Sequence, residues 1–379
     1  MDKDIFRTPG QLIKALMAER GWTQRVLGIV LGLEDTAVNH ILSGRRPVTA
    51  DMSIILGEIF DVPAETILAL QRDYDLAKAR LEAMPDSGRT TRAQLFGQLP
   101  ISDMVKRGWL KVHDIRDVSN VEQELASFFG APSVVDIEIL PHAAKKTETF
   151  EPATAVQIAW IYRVKQITSE MLVPAYTPER ALQLAPKLQS LLRSPEEARK
   201  VPRLLAEHGI RFTLVETLPS AKIDGVCFWL DERSPVIAMS TRYDRLDNFW
   251  FVLRHEIEHV LQRHGLKSVM LDAELEGDRA GTGPNIADEE RLANAAAAEF
   301  CVPQAALEKF INKKAPYFNE RDVIGFANTL NIHPGLVAGQ LQRKTGRCEI
   351  LRQHLAKIRD CVAPSAIVDG WGDIAPVGQ

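Results

Sequence analysis

The segment RHEIEH, residues 254–259, places five ionisable side chains inside an otherwise apolar stretch of the chain. Apolar residues recur at helical spacing from Phe249 to Leu261, which predicts a helix that is buried on one side. Such a helix needs other elements to cover it, so this stretch must belong to a core. His255 and His259 are four residues apart and therefore project from the same face of the helix.

Two imidazoles on one helical face can bind the same metal ion. A catalytic zinc ion usually has three protein ligands and one open position for water. Glu256 lies beside the histidines and can take a proton from that water, whose pKa the metal lowers to about 7. The pattern predicts a Zn²⁺ site with His255 and His259 as ligands and Glu256 as the catalytic base. The alternative is a helix whose charged residues simply face water.

The third ligand is expected on the next strongly helical segment, ADEERLANAAAAEFCVP. Glu290 in this segment is the candidate, and Glu289 is the alternative. Acids are also common at helix N-termini without any metal. Asn294 lies one turn after Glu290 on the same face and can hold the second nitrogen of a ligand histidine. His264 is expected at the surface.

Short runs rich in β-branched and aromatic residues precede the motif: IRFTLVETL, GVCFWLDE and SPVIAMST. They predict a small sheet, and a polar loop is expected at 264–286. Most of the remaining chain has helical patterns, and its 45% hydrophobic and 25% charged residues are typical of globular domains. The sequence therefore predicts a mainly α protein with a small mixed β-sheet, an α+β fold.

These segments together resemble the ImmA/IrrE family of zinc metallopeptidases over roughly 205–345. That family has a strand-rich lead-in, then HExxH, then a segment E-x-x-A-N/D-x-F-A-A-x-L-L-x-P. The final proline of that segment falls on Pro303, and NIHPG at 331–335 resembles a later family segment. Glu258 and Ala296 depart from the pattern, since the family has a small residue and often Phe at these places.

The resemblance implies a zincin-like domain with a defined ligand set. The first Glu of the family segment falls on Glu290, so His255, His259 and Glu290 would hold zinc. Glu256 would activate the water.

The first 80 residues read as a run of short helices. TQRVLGIVLG starts with a favourable N-cap, Thr23, and ends at Gly32, which allows a tight turn. EDTAVNHIL follows, with Val38, Ile41 and Leu42 turned inward. This arrangement resembles the λ-repressor-type (XRE) helix-turn-helix, and the segments SGRRPVTADMSIIL and LQRDYDL resemble its HigA antitoxin branch.

The resemblance implies double-stranded operator DNA as a partner, read by a homodimer on a palindromic site. Outward-facing residues of the second helix would face the major groove: Glu34, Asp35, Thr36, Asn39 and His40. Residues at the start of the first helix and after the second would contact phosphates: Gln24, Arg25, Arg45 and Arg46. Residues 1–80 hold ten Lys or Arg and eleven Asp or Glu. A helical bundle that serves only for docking or dimerisation is therefore the alternative.

The sequence predicts five segments. They are a helix-turn-helix domain at 1–82, a linker and helical middle region at 83–205, a metallopeptidase-like domain at 206–305, a C-terminal helical extension at 306–361 and a loose tail at 362–379. No run of about 18 apolar residues indicates a membrane span, and the N-terminus lacks the pattern of a signal peptide. The scattered cysteines are typical of reduced thiols. A cytoplasmic protein is expected.

These features together predict an antitoxin-like transcriptional regulator that binds DNA and carries a zinc-dependent endopeptidase domain. Its expected protein partner is a repressor or a cognate toxin that it cleaves. The alternative is a non-catalytic HigA-type antitoxin or repressor whose C-terminal domain binds a toxin or senses a ligand.

Overall fold

The computed structural model describes residues 6–82, 89–137, 144–146, 153–266, 269–273 and 288–378. The chain divides into two compact units, Met1–Ser87 and Gly88–Gln379. The division falls inside the segment 84–100, which is rich in proline, glycine and small polar residues, as boundaries often are.

The first unit is a bundle of helices. In chain order they are α1 (Pro9–Glu19), α2 (Gln24–Leu31), α3 (Asp35–Leu42), α4 (Ala50–Phe60) and α5 (Ala64–Glu82). Threonine hydroxyls begin three of them, since Thr8, Thr23 and Thr49 each accept a backbone N–H from the first turn. The inward residues of α3 are those predicted: Val38, Ile41 and Leu42.

A tight turn joins α2 and α3. Gly32 follows α2 with φ 64°, a left-handed conformation that glycine adopts without strain. Gly28 lies inside α2, where a Cβ atom would be 2.8 Å from the carbonyl oxygen of Leu33. Glycine at both positions therefore allows the two helices to pack at close range.

The second unit is built around one mixed sheet. Its strands are β1 (Ala144–Lys146), β2 (Arg211–Val215), β3 (Ile223–Trp229), β4 (Pro235–Met239), β5 (Val269–Ala273) and β6 (Ile367–Asp369). Their order across the sheet is β1-β5-β3-β4-β2-β6. β3 is antiparallel to both neighbours, and the other pairs are parallel. The predicted small mixed sheet and the three predicted strands are confirmed.

Helices cover both faces of the sheet. Before β2 they are α6 (Arg89–Gln98), α7 (Ile101–Lys106), α8 (Val118–Phe129), α9 (Ala155–Ser169), α10 (Pro178–Ala181), α11 (Leu184–Gln189) and α12 (Val201–Glu207). After β4 they are α13 (Leu246–Leu261), α14 (Asp288–Cys301), α15 (Gln304–Lys314), α16 (Glu320–Leu330), α17 (Pro334–Thr345) and α18 (Arg359–Val362). None of the described helices has both the length and the apolarity needed to cross a lipid bilayer.

The strand β3 shows how the two helical layers are separated. Cys227 and Trp229 pack into the core that contains α13, whereas Val226 and Phe228 pack into the core that contains α9. Side chains alternate between the faces of a strand, so a strand buried on both faces is apolar throughout.

The helix α13 lies at the centre of its layer. Fourteen of its sixteen residues are buried, so it is covered nearly all round rather than on one side as predicted. It contacts β3 and β4 on the sheet side and α14 and α17 on the other.

Two parts of the predicted division differ from the structure. The predicted linker and middle region supplies α7, α8 and α9 to the same core as the sheet. The predicted loose tail contains β6, where Asp369 is fully buried. Its carboxylate accepts hydrogen bonds from Nε of Arg163 at 2.7 Å and Nε1 of Trp109 at 2.8 Å. A three-residue strand is too short to leave a periodic pattern. The five-residue β5 lies within the segment predicted to be a polar loop.

Replacing Asp369 by alanine should destabilise the second unit by about 3–5 kcal/mol, because it leaves a buried guanidinium without its partner. Arg163 is 2% exposed. Chemical denaturation followed by tryptophan fluorescence measures the loss, since five of the six tryptophans belong to this unit.

The matched control is Glu207→Ala, which breaks an exposed pair with Arg203 and should change the stability little, because solvent screens such a pair. The double variant Arg163→Met/Asp369→Leu removes both charges and should recover most of the loss. Equal effects of Asp369→Ala and Glu207→Ala would contradict a structural role for the buried pair.

Candidate metal centre

His255 and His259 project from one face of α13 into the interior. Both side chains are fully buried, and their Nε2 atoms lie 3.0 Å apart. Phe251, one turn earlier, stacks on the ring of His255 with the ring centroids 6.4 Å apart. The helix therefore directs two nitrogen donors to one point.

The helix α14 brings a carboxylate to the same point. Oε2 of Glu290 lies 3.2 Å from Nε2 of His255, and Oε1 lies 3.2 Å from Nε2 of His259. Glu290 is fully buried. The neighbouring Glu289 is only partly buried and does not belong to the group that converges. Within the described ranges, His255, His259 and Glu290 form the group with metal-binding spacing.

The three side chains fit a zinc ion in spacing and in chemistry. In a tetrahedral site with zinc bonds of about 2.0–2.1 Å, donor atoms are separated by roughly 3.3–3.5 Å. The observed distances of 3.0–3.2 Å are slightly shorter. Both oxygens of Glu290 are buried, yet they accept no hydrogen bond from any described residue. A buried carboxylate in this condition is costly, and a shared cation would offset the cost.

The carboxylate of Glu256 lies against the backbone of β3. A Cβ atom at Gly225 would be 2.1 Å from Oε1 of Glu256 and 2.9 Å from Cγ1 of Val252. Only glycine therefore leaves room for this fully buried carboxylate. A glycine inside a strand pattern indicates that another group approaches the strand closely. In the sequence, Gly225 was the available sign that the Glu256 carboxylate lies against this strand.

The structure shows which of Asn294 and His264 contacts a candidate ligand histidine. Neither side-chain atom of Asn294 has a hydrogen-bond partner among the described residues. Instead, Nδ1 of the partly buried His264 lies 3.0 Å from Nδ1 of His259. Burial and the nearby charge of His259 lower the pKa of His264. His264 therefore makes a contact of the kind predicted for Asn294, and it is partly buried, whereas a surface position was expected.

The additional carboxylate of Glu258 is held by its own helix. Arg254 donates to it at 2.6 Å and Gln262 at 2.8 Å, each four residues away. Burial alone would raise the pKa of Glu258, but hydrogen bonds from Gln262 and Arg254 outweigh this and lower it. These contacts occupy both of its oxygens.

In the first unit, the structure places every predicted DNA-contact residue at an exposed position. Gln24 and Arg25 begin α2, and Arg45 and Arg46 follow α3. The exposed residues at or near α3 are Glu34, Asp35, Thr36, Asn39 and His40. This surface is accessible to a ligand, and its mixed charge does not by itself select DNA.

Comparison with known families gives one match. Residues 206–329 match the model of a peptidase family, Peptidase M78, described as the IrrE N-terminal-like domain. The matched stretch contains β2 to β5 and all three converging side chains. It supports a metallopeptidase-type domain in this part of the chain and does not reach the first unit. A search of curated proteins found no match.

Replacing Gly225 by alanine should destabilise the second unit by about 1–3 kcal/mol, because the new methyl group overlaps the carboxylate of Glu256. Combining Gly225→Ala with Glu256→Ala should recover part of this loss. A double-mutant cycle from chemical denaturation measures the coupling.

Gly325 provides the control, since it lies in α16 and a Cβ there would meet nothing within 4 Å. Gly325→Ala should be stabilising by about 0.5–1 kcal/mol. Additive effects of the changes at 225 and 256 would show that the two groups do not press on each other.

Proposed function

We propose that the second unit is a zinc-dependent peptidase. The observation that carries the proposal is the convergence of three buried side chains: the Nε2 atoms of His255 and His259 lie 3.0 Å apart, and each lies 3.2 Å from one oxygen of Glu290. A zinc ion held by these side chains supplies a Lewis acid that activates water and polarises a carbonyl group.

Glu256 is the base in this proposal. It follows His255 directly on α13, and its carboxylate is buried against Gly225. In this position it takes the proton of the attacking water and passes it to the leaving amine of the cleaved peptide. The packing against β3 fixes the carboxylate, so little reorganisation is needed for proton transfer.

The substrate in this proposal is a protein, either a repressor or a cognate toxin. The resemblance to the ImmA/IrrE family supports this class. The resemblance of the first unit to a helix-turn-helix regulator supports a regulatory setting, which we place in the cytoplasm. That unit binds double-stranded operator DNA as a homodimer, with the exposed side of α3 in the major groove. Because its charges nearly balance, phosphate contacts must come from individual side chains such as Arg25, Arg45 and Arg46.

Replacing Glu256 by glutamine should leave zinc bound and abolish cleavage, because the amide cannot accept the proton while the ligands stay in place. Loss of a residue that only hydrogen-bonds to a metal ligand typically lowers metal affinity by about 10- to 100-fold. Glu290→Gln should lower zinc affinity by more than this, because Glu290 is itself a proposed ligand. Metal analysis of the purified proteins and cleavage assays on candidate repressor and toxin partners measure both effects.

Glu289→Gln is the matched control, since it changes the adjacent acid and should preserve zinc and cleavage. If the wild type and Glu256→Gln both hold zinc and act identically on their partners, the domain is a non-catalytic antitoxin or repressor module. A wild type without zinc would refute the metal centre itself.

For the first unit, Asn39→Ala and Arg46→Ala should both weaken operator binding. Only the arginine change should flatten the salt dependence, by about one unit of slope, because it removes a phosphate contact. Binding to the upstream promoter, measured over a range of salt concentrations, tests this. Arg72→Ala on α5 is the control for charge alone; an equal effect of Arg72→Ala would contradict a specific DNA surface on α3.

A further inference from the structure

The ring of His259 has contacts at both of its nitrogens. Its Nε2 faces the metal-binding point, 3.0 Å from Nε2 of His255 and 3.2 Å from Oε1 of Glu290. Its Nδ1 faces the opposite way and lies 3.0 Å from Nδ1 of His264. The contact at Nδ1 therefore lies where it can influence how Nε2 binds a metal.

The end of α13 fixes the backbone of His264. The N–H of Arg263 bonds to the carbonyl of Val260 at 3.0 Å, and that of His264 bonds to the carbonyl of His259 at 2.8 Å. This pair of bonds is a Schellman cap, in which the residue after the helix is left-handed; here it is Arg263, with φ 56°. The cap turns the chain back so that His264 lies over His259.

The strand β3 holds the same segment from the other side. Nε1 of Trp229 donates to the carbonyl of His264 at 2.8 Å, and the guanidinium of Arg263 lies over the Trp229 ring, 5.1 Å from its centroid. Gly265 has φ 80°, and a Cβ atom there would be 2.9 Å from the carbonyl oxygen of Cys227. Contacts from two elements thus determine where the His264 ring can lie.

The two rings allow one arrangement of protons that is compatible with metal binding. A histidine that binds a metal through Nε2 carries its proton on Nδ1. His259 must then donate through Nδ1, and His264 must accept through its own Nδ1. The reverse arrangement would place the proton of His259 on the nitrogen that faces the metal.

We propose that His264 is a positioning residue for the metal centre: it fixes the tautomer and the ring orientation of His259. This inference rests on the proposed zinc site, and it assigns to the helix cap a role that Asn294 was predicted to have. His264 acts through His259 and does not itself bind the metal.

The test measures zinc affinity, by competition with a chromophoric chelator, and the visible absorption spectrum of the Co²⁺-loaded protein. His264→Leu removes the acceptor and should weaken zinc binding by about 10- to 100-fold. His264→Asn should recover most of the affinity and the wild-type cobalt spectrum, because its Oδ1 can accept in place of Nδ1. Asn294→Ala should change neither measurement.

The outcomes separate this inference from the proposed function. If the wild type binds zinc and His264→Leu binds it equally tightly, the positioning role is refuted while the metal site stands. If His264→Asn is as weak as His264→Leu, the acceptor argument is wrong and the histidine contributes packing alone. If the wild type binds no zinc, both proposals fail. Should His264→Leu not fold, His264→Ala replaces it in the same comparison.

Discussion

His255, Glu256 and His259 belong to a helix that is covered on nearly all sides, and none of the three is exposed to solvent. Withdrawing ionisable groups from water costs several kcal/mol unless partners replace the lost hydration. For the two imidazoles, α14 brings Glu290 as a partner. For Glu256, Gly225 of β3 leaves the space that the buried carboxylate occupies. The placement of α13 between the sheet and α14 is thus tied to the chemistry of one side-chain group.

The C-terminal cap of α13 also contributes to the candidate metal site. A non-glycine residue in the left-handed conformation costs roughly 1–2 kcal/mol, and Arg263 adopts it. The cap bonds and the contact of Arg263 with Trp229 offset that cost. In return, the chain turns sharply enough for His264 to reach Nδ1 of His259. A local backbone feature therefore controls a hydrogen bond to a candidate metal ligand.

Local patterns in the sequence predicted the parts of the fold that repeat over several residues. Helical spacing indicated α13, and β-branched runs indicated β2, β3 and β4. The i, i+4 spacing placed His255 and His259 together, because it depends on one helix alone. The role of His264 could not be predicted in this way, since the cap that positions it lacks the usual glycine. Asn294 was chosen from spacing along α14, but the contact depends on how two helices face each other, which spacing does not determine. The strands β5 and β6 could not be predicted in this way either, because they form by pairing with distant segments of the chain.

The two units place their candidate residues under different physical constraints. In the first unit all nine DNA-contact candidates are exposed, so substitutions there leave core residues such as Val38 and Ile41 in place. In the second unit the candidate metal-binding side chains are part of the core. Both oxygens of Glu290 are buried and accept no hydrogen bond from the described residues. A metal ion bound by this carboxylate would contribute to the stability of the fold. The stability of the second unit is therefore linked to what its candidate site binds. The helical bundle of the first unit can stay folded whatever its surface recognises.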